Sequence, residues 1–198
     1  MQRSDHSDGA PTSDDLTGRL LIAMPGIGDP RFERAVVLMC AHSASHAMGL
    51  TLNHPIEGLS VAQLLERLDL KADAPLPEEP VLFGGPVDRE RGFVVHTDDY
   101  MSRGSSLPVC EGVAWTATRD VLQAMGDRLM RPRRSILALG YAGWGAGQLE
   151  RELQDNIWLT CEPDESLLFD PDHDLKWTQA LAKLGVAAGS LSAQSGRA

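Results

Sequence analysis

The sequence lacks the features that would place it in a membrane or secreted class. Its 198 residues contain no apolar run that approaches the roughly 18 to 20 residues a membrane-spanning helix needs. The polar N-terminal stretch Met1–Asp8 has no hydrophobic core of the kind found in secretory signals. We therefore expect a cytoplasmic protein with no membrane partner.

Cysteine is scarce. The chain has only Cys40, Cys110 and Cys161, which are odd in number, far apart and embedded in apolar or strand-like sequence. This usage predicts buried, unpaired thiols in a reducing compartment. His42 and His46 lie four residues apart, but no clustered cysteine or nearby carboxylate accompanies them, so turn and capping roles are favoured. The sequence predicts no metal site and no cofactor.

Positive charge is also in short supply. The formal net charge is −10, and Glu150–Asp174 alone holds nine acidic residues against one arginine. Such a field repels phosphate backbones. The only basic cluster is Arg131–Arg134, and Pro132 prevents it from continuing a helix into a groove. Direct nucleic-acid binding is not expected, and the cluster is interpreted as a loop that neutralises the acidic surface or binds an occasional anion.

The length fits one domain. Residues 1–15 and 188–198 are polar or small and without periodicity, which predicts disordered tails around a single domain at 16–187. Short runs rich in Val, Ile, Leu and Trp predict eight strands between the tails. In the order of the chain these are Arg19–Met24, Ala35–Ala41, Met48–Asn53, Pro80–Phe83, Arg91–Thr97, Gly112–Thr116, Ser135–Leu139 and Ile157–Cys161.

Helical spacing of apolar residues predicts four helices: Ser60–Leu70, a segment after Thr118, Gly145–Asp155 and Asp172–Leu184. Ser60 and Thr118 are suited to cap the first two. The strands come in groups rather than alternating strictly with helices. That order favours the α+β class with a largely antiparallel or mixed sheet over a doubly wound parallel sheet.

Four ordered blocks carry a resemblance to a known family. They are Leu21–Pro25 with Asp29–Phe32, Met48–Pro55, Gly84–Val87 with Arg91–His96, and Gly140–Glu150 with Asn156–Trp158. Together they resemble the bacterial YqgE/AlgH family over roughly residues 16–186. The resemblance implies a bifurcated sheet curled into a pseudo-barrel with flanking helices. It implies little about activity, because the family has no established catalytic residues, although its members are sometimes labelled transcriptional regulators. Ala41–Ala47 departs from the usual charged, Gly-rich turn.

Gly140–Glu150 is the most site-like segment. It follows a predicted strand and opens a predicted helix, where free amides and the helix dipole can hold an anion. Its spacing matches neither the dinucleotide-binding nor the P-loop pattern. The alternative, which is favoured, is that the glycines supply left-handed turns and close contacts. The predicted ligand-binding residues are Gly143, Trp144, Gly145, Gly147, Gln148 and Glu150, together with His96.

Two of these residues are also candidates for acid–base chemistry. Glu150 borders the apolar face of its helix, so a half-buried carboxylate beside Trp144 with a raised pKa is one interpretation, and a structural hydrogen bond is the favoured one. On the same helix Gln148, Glu152 and Asp155 are assigned to the far side. His96 ends a strand before two aspartates that can orient its ring, but no nucleophile is identifiable.

Three functions remain open on these grounds. The first is a non-enzymatic binding or regulatory domain with an unknown protein or small-molecule partner near residues 140–150. The second is a transcriptional regulator, for which the sequence offers no helix-turn-helix pattern. The third is an enzyme that acts on a small molecule through Glu150 or His96. No catalytic residue is assigned.

Overall fold

The computed structural model describes residues 15–191, so most of both predicted tails lies outside the described part. Residues 15–191 form ten strands, five α-helices and two 3₁₀ turns. The strands are β1 (Leu20–Ala23), β2 (Val36–His42), β3 (His46–Thr51), β4 (Pro55–Ser60), β5 (Pro80–Phe83), β6 (Val87–Thr97), β7 (Ser106–Cys110), β8 (Val113–Thr116), β9 (Ser135–Gly145) and β10 (Trp158–Cys161). The helices are α1 (Val61–Arg67), α2 (Arg119–Gly126), α3 (Gln148–Gln154), α4 (Glu165–Leu168) and α5 (Lys176–Lys183).

The sheet runs in the order β10-β1-β2-β3-β9-β6-β8-β7, and every pair along it is antiparallel. β4 and β5 lie off this path, and β5 pairs in parallel with β9. The α+β class with a mixed, mainly antiparallel sheet is confirmed.

The sheet divides along β9. The first half of β9 pairs with β5, through Ala138 and Leu139, while its second half pairs with β3, from Ala142 to Gly145. Since β6 occupies the opposite edge of β9, β3 and β5 share one edge and diverge from it. This divergence is the bifurcation that the family resemblance implied, and we call it the fork.

Glycines allow the chains to cross at the fork. A Cβ on Gly85 would lie 2.0 Å from the carbonyl carbon of Tyr141, and one on Gly140 would lie 2.4 Å from the oxygen of Gly85. Gly140 also has a φ of +73°, in the region that other residues rarely adopt. Gly140 is therefore needed for close contact between two strands, in agreement with the favoured interpretation of the glycine run.

Both faces of the central strands are buried. In β1, Leu20 and Ile22 belong to one apolar cluster, which α4 and α5 cover, while Leu21 and Ala23 belong to a second cluster that includes Leu149 of α3. This alternation follows from the two-residue period of a strand. A third cluster joins α1 and α2 to β5, β6 and β9.

The sheet curls as it passes from β10 to β7. Val109 of β7 packs in the same cluster as Leu38 of β2, and a Cβ on Gly18, just before β1, would lie 2.3 Å from the oxygen of Val109. The far strand of the sheet therefore approaches the first two strands, which gives the half-barrel shape.

Two predicted helix caps have different outcomes. Ser60 accepts the amide hydrogen of Gln63, whose side chain in turn accepts from the Ser60 amide, so a complete capping box starts α1. Thr118 occupies the N-cap position of α2, but its hydroxyl donates to Asp120 instead of accepting from the helix. The prediction of a Thr118 side-chain cap is wrong, because the nearby carboxylate is the stronger acceptor.

The boundaries differ from the predictions at several places. α4 was not predicted, α3 begins at Gln148 instead of Gly145, and β6 begins at Val87 instead of Arg91. β4 and β7 were not predicted, and β9 continues to Gly145 instead of ending at Leu139. α5 begins only at Lys176, since Asp172 accepts the amide hydrogen of Leu175 and holds the preceding turn. At the C-terminal side, Ala188–Ser190 form a 3₁₀ turn, and Ala188 and Leu191 pack against the core. No helix in residues 15–191 is long and apolar enough to span a membrane.

Candidate functional site

The segment Gly140–Glu150 is a strand followed by a short helix. Its residues up to Gly145 belong to β9 and pair with β3, so they form sheet rather than a loop. α3 has seven residues and starts behind Gly147, whose φ is +67°. The amide of Gly145 donates to the side chain of Gln148 at 3.1 Å. Ligand binding by this segment stays a prediction. The role that the structure shows for its first residues is strand pairing.

Trp144 is buried, with 6% of its surface exposed. Its indole N–H donates to Oε2 of Glu152 at 2.8 Å, and the indole N–H of Trp158 donates to the same oxygen at 2.8 Å. Gln148 donates to the other carboxylate oxygen at 2.8 Å. We call Trp144, Gln148, Glu152 and Trp158 the indole network. Its rings meet edge to face at 6.0 Å.

The assignment of Glu152 and Gln148 to the far side of α3 is therefore wrong. Glu152 lies three residues after the buried Leu149, and residues three apart share a face of a helix. Two tryptophans, at positions 144 and 158, flank the helix and were a usable signal, because each needs an acceptor when buried.

Glu150 is half-buried, as one interpretation offered, but its pKa is not raised. Its side chain is 43% exposed and pairs with Nε2 of His42 at 2.9 Å. Hydrogen bonds from its own amide and from His42 lower the pKa of Glu150. The amide of Leu16 donates to Nδ1 of His42 at 3.1 Å, so this histidine ties the start of the domain to α3. The favoured interpretation, a structural hydrogen bond, holds for Glu150, although its partner is a side chain.

His96 is fully buried and lies far from Gly143. Its ring bonds the oxygen of Thr97 at 3.0 Å and the hydroxyl of Thr116 at 2.8 Å, so neither following aspartate orients it. Burial lowers the pKa of His96. His96 pairs with Ser135 at the start of β9, roughly 25 Å of strand away from Gly143 at about 3.3 Å per residue. His96 and the Gly143 region thus do not form one site.

The thiols are poorly suited to nucleophilic chemistry. Cys40 and Cys161 are buried, Cys110 is partly buried, and all three are unpaired. Burial raises the pKa of each thiol, which disfavours the reactive thiolate. Within residues 15–191, no three His, Cys, Asp or Glu side chains converge in a way that could hold a metal ion.

A cleft of about 430 Å³ opens beside the fork. Apolar side chains of β5, β9, α1 and α2 line it together with two loops that carry charge, Arg131–Ser135 before β9 and Phe169–His173 before α5. We call it the fork cleft; its lining residues are Val61, Pro77, Glu79, Pro80, Leu82, Met125, Arg131, Pro132, Arg133, Arg134, Ser135, Ile136, Leu137, Phe169, Asp170, Pro171 and His173. A volume of this size suits a small-molecule ligand.

Three arginines give the fork cleft a basic wall. Arg131 donates to the main-chain oxygens of Met125 and Pro75 at 2.8 and 2.6 Å, which fixes its guanidinium without neutralising it. Arg133 and Arg134 share the carboxylate of Glu165 at 2.9 and 3.5 Å. Among residues 15–191, Glu165 is the carboxylate that forms salt bridges with these guanidinium groups, and Glu79 and Asp170 also line the cleft. The excess of positive charge is therefore confined to the Arg131–Arg134 wall and does not extend over the whole cleft. The salt bridges with Glu165 agree with the expectation of a neutralising loop, and anion binding by the loop stays a prediction.

The opposite wall leads to four polar side chains spaced three residues apart, Asp170, His173, Lys176 and Gln179, which we call the polar ladder. Lys176 is fully buried, and its ammonium donates to the oxygen of Leu168 at 2.8 Å. Gln179 donates to Asp170 at 3.0 Å. Nδ1 of His173 and Oε1 of Gln179 are buried atoms with no hydrogen-bond partner among the described residues. Buried polar atoms are seldom left unpaired.

Burial lowers the pKa of two groups in the polar ladder, Lys176 and His173. It lowers the pKa of Lys176 to about 8, against the opposing attraction of Asp170. Burial, and then the neighbouring Lys176, lowers the pKa of His173, so the imidazole is neutral at pH 7. The polar ladder was not predicted, because the apolar spacing in Asp172–Leu184 indicated one amphipathic helix. The lysine within an otherwise acidic stretch was the available signal.

The bifurcated half-barrel and the ligand-sized cleft at its fork define the class: an α+β domain organised around a split sheet. Within that class, the chain belongs to the AlgH-like family, whose sequence model matches residues 20–189. The family resemblance inferred from the four sequence blocks is confirmed.

Curated relatives match almost the whole chain. A UPF0301 protein of Caulobacter vibrioides is 62% identical over 92% of this chain and 94% of its own length. One from Jannaschia sp. is 48% identical over 93% of this chain and 96% of its own.

Solved structures agree with the fold. The solution structure of the AlgH protein from Pseudomonas aeruginosa aligns with a TM-score of 0.71 and 41% identity, covering 96% of this chain and all of that one. A crystal structure of a protein from Corynebacterium diphtheriae aligns with a TM-score of 0.65 over 92% of this chain and 90% of its own. At 17% identity, that second match supports the fold alone.

Proposed function

We propose that this protein is a non-enzymatic binding or regulatory domain whose ligand, a small anionic molecule with an apolar body, lies in the fork cleft. The observation that carries the proposal is the meeting of a basic wall with an apolar floor in one concave site. Arg134 and Arg133 supply charge-assisted donors, and Leu82, Ile136 and Phe169 supply the apolar surface.

Binding is favoured over catalysis because the candidate reactive groups are engaged elsewhere. His96 is held between Thr97 and Thr116, and Glu150 is paired with His42. Lys176 is fully buried behind the cleft wall. These contacts suit a site that recognises a ligand and leaves it unchanged.

The proposal is tested with 8-anilinonaphthalene-1-sulfonate, a fluorescent probe that combines a sulfonate with aromatic rings. We expect the full chain to bind it one to one. Arg134→Gln removes a guanidinium from the cleft and should weaken binding by about tenfold, as expected for a charge-assisted hydrogen bond. Arg103→Gln removes the same charge from an exposed position outside the cleft lining and serves as the matched control.

The result that overturns the proposal is equal probe affinity in the wild type and Arg134→Gln, or equal weakening in Arg103→Gln. Circular dichroism of each variant checks that the probe reports a folded cleft.

A transcriptional role through direct DNA contact is not proposed. The basic wall lies in a concave site, and the net charge of −10 repels phosphate backbones. A titration with duplex DNA at about 150 mM salt, where exposed charges more than about 8 Å apart are screened, should show no sequence-specific submicromolar binding.

A further inference from the structure

A second cleft, on the other side of α5, has a different construction. It holds about 630 Å³ between the loop Met24–Arg34, which joins β1 to β2, and the segment Ala188–Leu191. Trp177 lies at its base, and its indole N–H donates to the oxygen of Ala23 at 2.8 Å. We call it the loop cleft. It shares no lining residue with the fork cleft.

Arg34 at the edge of the loop cleft has a strained backbone. Its φ is +51°, in the left-handed region that a long side chain rarely adopts. The buried Asn53 holds this conformation, because its Nδ2 donates to the oxygen of Arg34 and its Oδ1 accepts from the amide of Val36, both at 2.8 Å. Strain that is held in place by dedicated contacts is typical of functional positions.

The side chain of Arg34 lies over the aromatic ring of Trp177. The guanidinium is 5.5 Å from the centre of the Trp177 ring and faces the loop cleft. Among the described residues, no carboxylate forms a salt bridge with Arg34, whereas Asp29 in the same loop is paired with Arg31 at 2.7 Å. Arg34 thus presents a cation to the cleft without a salt-bridge partner among the described residues, although the carboxylates of Asp29 and Glu33 also line the cleft.

The same loop presents backbone donors. Gly26, Ile27, Gly28 and Asp29 line the cleft, and none of their amides donates a hydrogen bond within residues 15–191. Gly26 and Gly28 have φ values of +81° and +80°. Glycines in this conformation let successive amides approach an anionic group without side-chain interference.

We infer that the loop cleft binds a carboxylate attached to an apolar body. The carboxylate would pair with Arg34 and accept hydrogen bonds from the amides of Gly26–Asp29. The apolar body would pack against Pro25, Ile27 and Leu191. Two sources share this chemistry: the free C-terminus of a peptide with an apolar last side chain, and a small apolar carboxylic acid. The inference is independent of the function proposed for the fork cleft.

Calorimetric titration of the full chain with N-acetyl-L-leucine and with its uncharged amide tests the inference. The acid should bind at least tenfold more tightly than the amide, because only the acid carries the carboxylate. Acetyl-Gly-Gly-Leu distinguishes the sources: tighter binding than that of acetyl-leucine indicates a peptide end, and equal binding indicates a small acid. Equal affinity for acid and amide would overturn the inference.

Arg34→Asn separates binding from folding. Asparagine adopts the left-handed conformation readily, so the variant should unfold at the wild-type temperature or above it while losing at least tenfold in affinity for the acid. Arg91→Asn is the control, since Arg91 also lies over an aromatic ring, at 5.2 Å from Phe93, but outside the cleft. Unchanged binding in Arg34→Asn, or an equal loss in Arg91→Asn, contradicts the inference.

Discussion

The indole network and the polar ladder differ in how their hydrogen bonds are satisfied. In the indole network, one carboxylate accepts from two tryptophans and a glutamine, all at 2.8 Å. In the polar ladder, a fully buried lysine has one recorded acceptor, and two further buried polar atoms have none among the described residues. The polar groups of the indole network thus satisfy one another, whereas the polar ladder leaves hydrogen-bonding groups unpaired beside a cleft.

The difference separates stability from recognition. Side chains that satisfy one another fix the packing of a junction and offer little to a ligand. Polar atoms that stay unpaired near a concave surface cost stability and are retained where a binding role offsets that cost. On this ground Gly140–Glu150, the segment that looked most site-like in sequence, has a more structural role than the polar ladder.

The largest expected effect is on the indole network. Trp144→Ala removes a buried ring and should destabilise the protein by about 3 to 5 kcal/mol. Urea unfolding, followed by the fluorescence of the remaining tryptophans, measures this loss. If Trp144→Ala is as stable as the wild type, the indole network does not support the fold, and the contrast with the polar ladder is wrong.

Glu152→Ala is expected to have the next largest effect. It leaves the indole N–H groups of Trp144 and Trp158 without an acceptor, and each unpaired buried donor costs about 1 to 3 kcal/mol. We therefore expect a loss of about 2 to 4 kcal/mol by the same urea assay.

Glu150→Ala is the matched control on the same helix. It removes a partly exposed carboxylate and its pair with His42, at a cost of about 1 kcal/mol or less. Equal losses in the two alanine variants would show that the network is no more stabilising than a surface pair.

Lys176→Met in the polar ladder is expected to increase stability, in contrast to the losses expected in the indole network. Removing a buried ammonium relieves a desolvation penalty, while the oxygen of Leu168 loses its donor. On balance we expect the variant to be about 1 to 2 kcal/mol more stable than the wild type at pH 7. A loss of stability would show that the ladder is as well satisfied as the indole network.

The pH dependence follows from the lowered pKa of Lys176. In the folded protein the pKa is about 8 against 10.5 for the free side chain, so the unfolded chain binds more protons between these values. Wild-type stability should therefore gain on that of Lys176→Met as the pH rises from 8 to 10.5, and the penalty is full below pH 8. Denaturant unfolding at pH 7, 8.5 and 10 measures the difference; a constant gap would contradict the assignment.

Local sequence patterns predicted much of the fold. The N-cap at Ser60 and the runs that became β1 and β2 depend on neighbours in the chain, and these predictions were close. β4 was missed because Pro55–Ser60 is only partly buried and contains glycine, so its strand character comes from pairing with β5. β9 was cut short because glycines suggested a turn, whereas the strand continues through Gly140, where the glycine allows close contact with Gly85, and ends at Gly145.

The candidate site was far less predictable. Charge counting singled out Arg131–Arg134 as a loop that neutralises the acidic surface or binds an anion, but nothing in the sequence indicated that Asp170 and His173 lie across a cleft from it. Glu152 was misassigned for the same reason, since its two indole partners lie eight residues before it and six after it. The clefts exist only where segments distant in sequence meet.

The sequence by itself determined the α+β class, the family, the burial of the core strands and the unpaired thiols, because these follow from composition, short-range periodicity and ordered motifs. Tertiary structure alone decided the fork, the two clefts and which polar groups are satisfied. The physical reason is that a hydrogen-bond partner or a concave surface depends on long-range packing, as when β3 and β5 meet one edge of β9. The residue type determines which interactions a side chain can make, and long-range packing determines which partners lie within its reach.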